Sequence, residues 1–354
     1  MNDILIPHAR LTAFVAACLE RLGLLPGDAR LVAETLVQSN LRGVDSHGVV
    51  RLPHYATRLR NGTVKARPSI TVARTGAATA MVEGDQGMGQ LVALRAMEEA
   101  IALARESGVG AVGARNSSHC GACAYFVERA VEAGMVGVML THTDPIMVPP
   151  GMRKIFLGSN PIAFGAPGTD GPPVIIDMAT TNVALGKVIV ARLEGQSIPP
   201  DWGVDAAGRP ATDPNAVVGL APMAAHKGYA LAMLVEILCA QLTGVPFGTH
   251  ITRMYGDLDR PRNLGHFVLA IDIARFTDPA TFRAQIDLMV RETHAAEPVD
   301  PGRPPLAPGD PERQTAEARM RSGVPLGDGV LADLNSLAAE LAVERLPDGL
   351  RSAT

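Results

Sequence analysis

The middle of the chain is a series of short apolar runs set between glycines and prolines, and that pattern constrains the fold before any motif is read. Residues 109–112, 136–140, 162–164, 174–176 and 266–271 are each too short to form a helix core and read as buried strands. Residues 70–73 and 80–83 add two more strand-like segments. Helical spacing of apolar residues marks 11–22, 28–41 and 90–105, the last ending at the stop signal Gly108. Further helices are expected at 122–133, 223–242 and 312–346. The proline-rich stretch 297–310 reads as a wrapping loop, and no internal repeat is visible. The expected class is therefore α/β. A mixed α/β region over 71–304 would bind cofactor and substrate, and a discontinuous helical domain would be assembled from the two chain ends, 1–70 and 305–354.

Composition narrows the function classes. Hydrophobic residues are 47% and charged residues 19% of 354, enough apolar surface for a core without a partner. The net charge of -4 comes without runs of like charge, which argues against a nucleic-acid surface. The longest apolar candidate for a membrane span, 229–242, is interrupted by Glu236, so no membrane insertion is expected. The N-terminal stretch lacks a basic segment followed by an apolar one, and four cysteines are no disulfide framework. A cytoplasmic location is the expectation.

Three motifs look informative and fail on context. Gly108-Val109-Gly110-Ala111-Val112-Gly113 satisfies G-x-G-x-x-G, but a helix precedes it and no helix follows directly. Gly108 reads better as a helix cap and the valines as a strand. Cys120 and Cys123 form a C-x-x-C with no second half to complete a tetrahedral metal site, so no metal is expected. Ser46 beside His47 lacks a nucleophile elbow, and adjacent residues rarely place hydroxyl and imidazole as nucleophile and base.

Other polar residues sit where a bland core would not want them. Asp45, Ser46, His47 and Arg51 cluster next to a helix end, His119 follows Asn116-Ser117-Ser118, and Asp177 stands at the end of a buried strand. Together they supply what oxidation of a hydroxy acid requires. An Arg can clamp a carboxylate bidentately, and a His can take the hydroxyl proton near neutral pH. A carboxylate can fix the tautomer of that His, while the hydride needs a nicotinamide because no side chain accepts one.

The stretches RGVDSHGVVRLPHY, NSSHCGACAYF, LGSNPIAFGAP, IIDMATTNVALGK, IPPDWGVDAAGRPATDP and HKGYALAMLVEILCAQLTG run from Arg42 to Gly244. Through them the chain resembles the type-2 malate/L-lactate dehydrogenase family, which also holds ureidoglycolate, sulfolactate and diketogulonate enzymes and cyclic-imine reductases. The resemblance implies a mixed-sheet, non-Rossmann dinucleotide-binding fold, a homodimer, and NAD or NADP as cofactor with NAD slightly ahead. It implies His47 as proton donor with Ser46 and Asp177 as relay partners, although in some members the residue matching His119 is the acid/base. Arg51 and Tyr55 match substrate contacts. Thr143, Asp177, Met178, Ala179, Lys227, Gly309, Asp310 and Pro311 match cofactor contacts. The chain departs from the family at Pro150-Gly151-Met152, where a Gly-Gly pair is common, and at Ala224-Ala225-His226, where G-G-Y is common. The expected activity is interconversion of a small 2-hydroxy acid of the malate, lactate or ureidoglycolate type and its 2-oxo acid. The alternatives are a cyclic imino-acid reductase acting on pyrroline- or piperideine-2-carboxylate, and a non-catalytic ligand-binding paralogue.

Overall fold

The computed structural model describes residues 4–347 and 350–351. Strand β1 (Ile4–Ile6) leads into α1 (His8–Arg21), which buries Leu11, Phe14, Val15, Cys18 and Leu19 at helical spacing. α2 (Pro26–Leu41) starts with a proline in its first turn and Asp28 beside the positive end of its dipole. Two single turns, Asp45–His47 and Val49–Arg51, feed α3 (Leu52–Arg60). Next come β2 (Thr71–Arg74), β3 (Thr79–Glu83), α4 (Gly89–Ser107), β4 (Val109–Ser117), α5 (Ala124–Glu132), β5 (Val136–Thr141), β6 (Ile162–Ala166) and β7 (Val174–Met178). α6 (Leu185–Glu194) and the small ribbon of β8 (Gly203–Val204) and β9 (Gly219–Leu220) precede α7 (His226–Glu236). β10 (Leu264–Ile271), α8 (Pro279–Ala295), α9 (Asp310–Ser322), β11 (Val324–Leu326), α10 (Asp328–Leu341) and β12 (Leu350–Arg351) complete the chain.

The main sheet has seven strands in the order β2-β3-β4-β10-β5-β6-β7, and only β3 and β4 pair in parallel. It is thus a mixed sheet, unlike the parallel sheet of a classical dinucleotide fold. α4 lies on β4 through its small residues Ala93, Ala96, Ala100 and Ala104, all fully buried. Gly110 permits that approach, because a Cβ there would stand 2.0 Å from the Ala100 carbonyl oxygen. The G-x-G-x-x-G stretch is therefore a helix end, with Gly108 at φ +86°, followed by a strand.

A second core joins the two ends of the chain. Leu11, Leu36, Leu52, Val324, Leu334 and Ala338 belong to one buried cluster, each large apolar side chain contributing about 1.5–3 kcal/mol over its exposed state. β1 pairs antiparallel with β11, Ile4 opposite Leu326 and Ile6 opposite Val324. α9 packs against α2.

Three expectations need correction. The helical stretch foreseen at 312–346 is two helices, because Gly323 at φ +101° breaks the chain and Val324–Leu326 leaves as a strand. The helix foreseen at 223–242 starts only at His226, since Ala224 and Ala225 hold φ of 45° and 54°, and it ends in a π turn, Ile237–Gln241. The knot after α2 contains a true helix, α3, and α6 and α8 were not foreseen at all. α8 buries a single large residue, Val290, so its sequence carries little apolar periodicity.

Candidate active site

The site begins at the end of α2. Asn40, buried there, donates from Nδ2 to Asp45 at 2.6 Å and accepts from the Val49 N–H at 2.8 Å. Its side chain spans the Asp45–His47 turn and fills the space beside Gly48, where a Cβ would stand 2.1 Å from Asn40 Oδ1. Arg319 of α9 grips Asp45 with two nitrogens, at 2.7 and 3.0 Å. Asp45 is thus a pin that fixes the turn, and Ser46 and His47 are held by it.

Arg51, His54, Tyr55 and Arg58 follow at i, i+3, i+4 and i+7, so they share one helical face. Arg51 Nε donates to the Ser46 carbonyl at 2.6 Å. The Tyr55 hydroxyl, buried, meets His119 Nδ1 at 2.7 Å and accepts from Gln90 at 3.2 Å. His119 arrives from the end of β4, and Gly89 at the start of α4 lets that backbone pass, because a Cβ would meet Ser118 O at 2.3 Å. The rings of His47 and His119 stack with centroids 5.5 Å apart. His47 Nδ1 faces Ser46 Oγ at 3.0 Å.

Both imidazoles are held neutral. Burial, reinforced by the Arg51 charge, lowers His47 to about 4. Burial first, then His47 and Arg51, pushes His119 well below the usual range. Two stacked rings this close disfavour a second proton once one is protonated.

Asp177 lies one residue before the end of β7, opposite Ala163, and lines a cavity, open to solvent but surrounded by protein. That enclosure lifts its carboxyl to about 6, against the pull of the Ala124 and Cys123 N–H groups. The Ala124 N–H donates to Asp177 Oδ2 at 2.8 Å, so the carboxylate holds the first turn of α5. This corrects the expectation that Asp177 fixes the His47 tautomer: among the described residues, the Nδ1 partners of the imidazoles are the Ser46 and Tyr55 hydroxyls.

The cavity measures about 520 Å³ and joins Ser46 and His47 to Asp177, Met178 and Ala179, with Arg42 and Lys187 on its wall. The other expected cofactor residues lie off this wall. Thr143 ties its own loop, its Oγ1 accepting from Ser159 N at 3.1 Å. Lys227 stands exposed in the first turn of α7. Gly309 lies against the Ile175 backbone at φ +97°. Asp310 is consumed by the Ala307 N–H at 2.8 Å, His294 at 2.5 Å and Arg313 at 3.1 Å, and Pro311 follows it in the first turn of α9. Their neighbour Glu312 does reach the cavity.

Several residues that sequence reasoning missed surround Arg51. Arg58 Nε donates to His54 Nε2 at 3.0 Å, and burial with nearby arginines lowers His54 to about 4. Arg262, fully buried, pairs with Asp144, and its Nη1 has no hydrogen-bond partner among the described residues. The i, i+3, i+4, i+7 spacing after Arg51 would have found His54 and Arg58. Nothing local marks Arg262. Cys120 and Cys123 are free, buried thiols.

The comparisons with known proteins fall on this geometry. A family model described as malate/L-lactate dehydrogenase matches residues 6–335. The chain is 41% identical over 276 residues to ureidoglycolate dehydrogenase (NAD(+)) of Escherichia coli K12, covering 78% of this chain and 79% of that one. It is similar to the structure of malate dehydrogenase from Pyrococcus horikoshii, with TM-score 0.88, 34% identity, and coverage of 98% and 97%. It also resembles delta1-piperideine-2-carboxylate reductase from Pseudomonas syringae, with TM-score 0.84, 30% identity, and coverage of 94% and 99%.

Proposed function

The chain belongs to the malate/L-lactate dehydrogenase family, and from that premise we propose that it is a nicotinamide-dependent oxidoreductase interconverting a small 2-hydroxy acid and its 2-oxo acid. The observation that carries this reading is a stacked pair of imidazoles beside Arg51, at the edge of a cavity of about 520 Å³. That volume lies in the range of small-molecule and cofactor sites. Its wall suits a dinucleotide: Ile175, Met178 and Val183 offer apolar surface, Ser46, Ser159, Thr181 and Asn182 offer hydrogen bonds, and Arg42 and Lys187 are cations suited to phosphate. When bound, the nicotinamide supplies the hydride acceptor that no side chain provides. NAD is proposed ahead of NADP, in line with the NAD(+)-dependent relative.

In this reading Arg51 binds the substrate carboxylate. His119 moves the hydroxyl proton, because Tyr55, backed by Gln90, occupies its Nδ1 and leaves Nε2 for the substrate. Burial serves this role by keeping the imidazole unprotonated and ready to accept. His47, oriented by Ser46 and facing the cavity, positions the reacting carbon between cofactor and acid/base. Asp177 holds the start of α5 and with it the segment that follows His119.

A cyclic-imine reductase reading is favoured by one observation, the likeness to the piperideine-2-carboxylate enzyme, and would reuse Arg51 and the same cavity. The proposed state is a cytoplasmic homodimer. Ile189, Val190 and Leu193 of α6, with Leu234 of α7 and Ile237 just beyond it, expose apolar surface, Leu193 at 82%, that a second copy would cover. Among the described residues no helix is long and apolar enough to cross a membrane. The test is a panel of 2-oxo acids and cyclic imino acids followed by absorbance of NADH and NADPH. Turnover of an oxo acid supports the dehydrogenase, and turnover of imines alone moves the assignment to the reductase. No turnover by folded, cofactor-binding protein leaves a non-catalytic paralogue.

A further inference from the structure

The segment between the Gly248–His250 turn and β10 has no regular structure, yet it is fastened along its length. Arg58, only 2% exposed, donates to the carbonyls of Arg253, Met254 and Arg260 at 3.0, 2.7 and 3.1 Å. Asn61 donates to the Leu258 carbonyl at 3.0 Å, and Asp144 accepts from the Met254 N–H at 3.1 Å. A loop with this many ties to α3 places its side chains as firmly as a helix does.

Two side chains on it reach Arg51 Nη1, Met254 through its Sδ at 4.0 Å and, more closely, Tyr255. Tyr255, 65% exposed, lies tilted against His54 with ring centroids 5.0 Å apart, and its phenolic oxygen accepts from Arg51 Nη1. The Arg51 carbon Cζ is 5.9 Å from the ring centroid. An oxygen that accepts from a guanidinium still has its own proton to give, and none of the described residues takes it. Arg51 Nη2 is likewise without a partner among the described residues. Two unspent donors therefore sit side by side, one cationic and one phenolic, which is the pattern that a carboxylate satisfies.

We propose that Tyr255 is a substrate-binding residue that shares the substrate carboxylate with Arg51. The inference rests on reading Arg51 as the carboxylate clamp and adds a specificity element from a loop that the motifs do not touch. The phenol donates to one carboxylate oxygen while Arg51 donates to the other, and the loop's attachment through Arg58 keeps both donors in register.

The test is Tyr255→Phe, which removes one oxygen and keeps the ring on His54. For whichever 2-oxo acid the wild type reduces, KM should rise about tenfold or more, the usual worth of a hydrogen bond to a charged group, with kcat within about twofold. The affinity for oxamate, an unreactive 2-oxo acid analogue titrated calorimetrically with dinucleotide present, should weaken by a similar factor. Dinucleotide affinity and Tm should stay unchanged. In the double variant with Arg51→Lys the losses should be less than multiplicative, as expected for two donors that share one carboxylate. Unchanged KM and oxamate affinity in Tyr255→Phe, with an active wild type, would overturn this proposal alone. A wild type that holds dinucleotide but neither binds oxamate nor reduces any oxo acid would overturn it together with the hydroxy-acid reading.

Discussion

His47, with His119 stacked on it, and the Asp177 corner face each other across one cavity but are organised by different chemistry. His47 and His119 take their orientation from hydroxyls, Ser46 and Tyr55. Asp177, the carboxylate at the end of β7, accepts from the backbone of α5. A hydroxyl can donate or accept, so it follows an imidazole through a change of tautomer. A carboxylate would commit the ring to one. Under the proposed function the site separates proton handling from scaffold holding, although in the sequence the three residues look like a single relay.

The largest test of that separation is the histidines themselves. His119→Asn is expected to lower kcat by about 10²–10⁴ and to abolish the titration of kcat/KM, while His47→Asn changes KM and kcat but keeps the titration. pH–rate profiles of the two variants check this, and the reverse pattern would move the proton to His47. Next in size, Arg51→Lys keeps the charge and loses the planar fork. It should cost about ten- to a hundredfold in kcat/KM for oxo acids with dinucleotide affinity intact, and steady-state kinetics beside a binding titration decide it.

Smaller still is Asp177→Asn. The amide oxygen can still accept from the Ala124 N–H, so a scaffold role predicts a loss of no more than about tenfold in kcat. A tautomer-fixing carboxylate predicts a loss of about 10⁴, as seen when such a group is amidated in a catalytic triad. The smallest effect is on stability against pH. His47 and His54 titrate near 4 and His266 near 3 in the folded protein, below the 6.5 of an unfolded histidine. Between those values the unfolded chain binds protons that the native one refuses. Stability from these groups is full above about 6.5 and falls as pH drops toward 4. Asp177 runs the other way. Its carboxyl is lifted from 3.8 to about 6, so its contribution is lost as pH rises through that window. Thermal melts between pH 4 and 7 should show Tm falling on acidification, and falling more steeply in Asp177→Asn. An equal slope would show that the Asp177 shift does not reach the folding equilibrium.

Legibility followed the range of the interactions. Strands such as Val136–Thr141 and Leu264–Ile271 were readable because short, nearly continuous apolar runs leave few alternatives. His47 and Arg51 were readable because they fall within one short stretch, and Tyr55 through the family resemblance that stretch carries. The partner of Asp177 was not, since a residue at a strand end says nothing about which helix start will face it. Tyr255 and Arg262 were invisible for the same reason: they come to α3 only because an irregular segment returns to it through Arg58, and carbonyl acceptors leave no mark on a sequence. β1 and β11, three residues each, are below the length at which alternation can be recognised.

The pairing of β1 with β11 has a consequence for the order of events at the ribosome. Ile4–Ile6 emerges before the whole main sheet, and the strand that receives it, Val324–Leu326, is made after that sheet. The sheet from β2 to β10 can assemble meanwhile from segments already extruded, but α1, α2 and α3 lack the mate for their leading strand until Val324–Leu326 arrives. Those are the helices around Ser46, His47, Arg51 and Tyr55, and Asp45 likewise waits for Arg319. The Ser46–His47 side of the cavity thus waits for residues made after its Asp177 side, so a half-made chain carries both sides without the arrangement that sets them together.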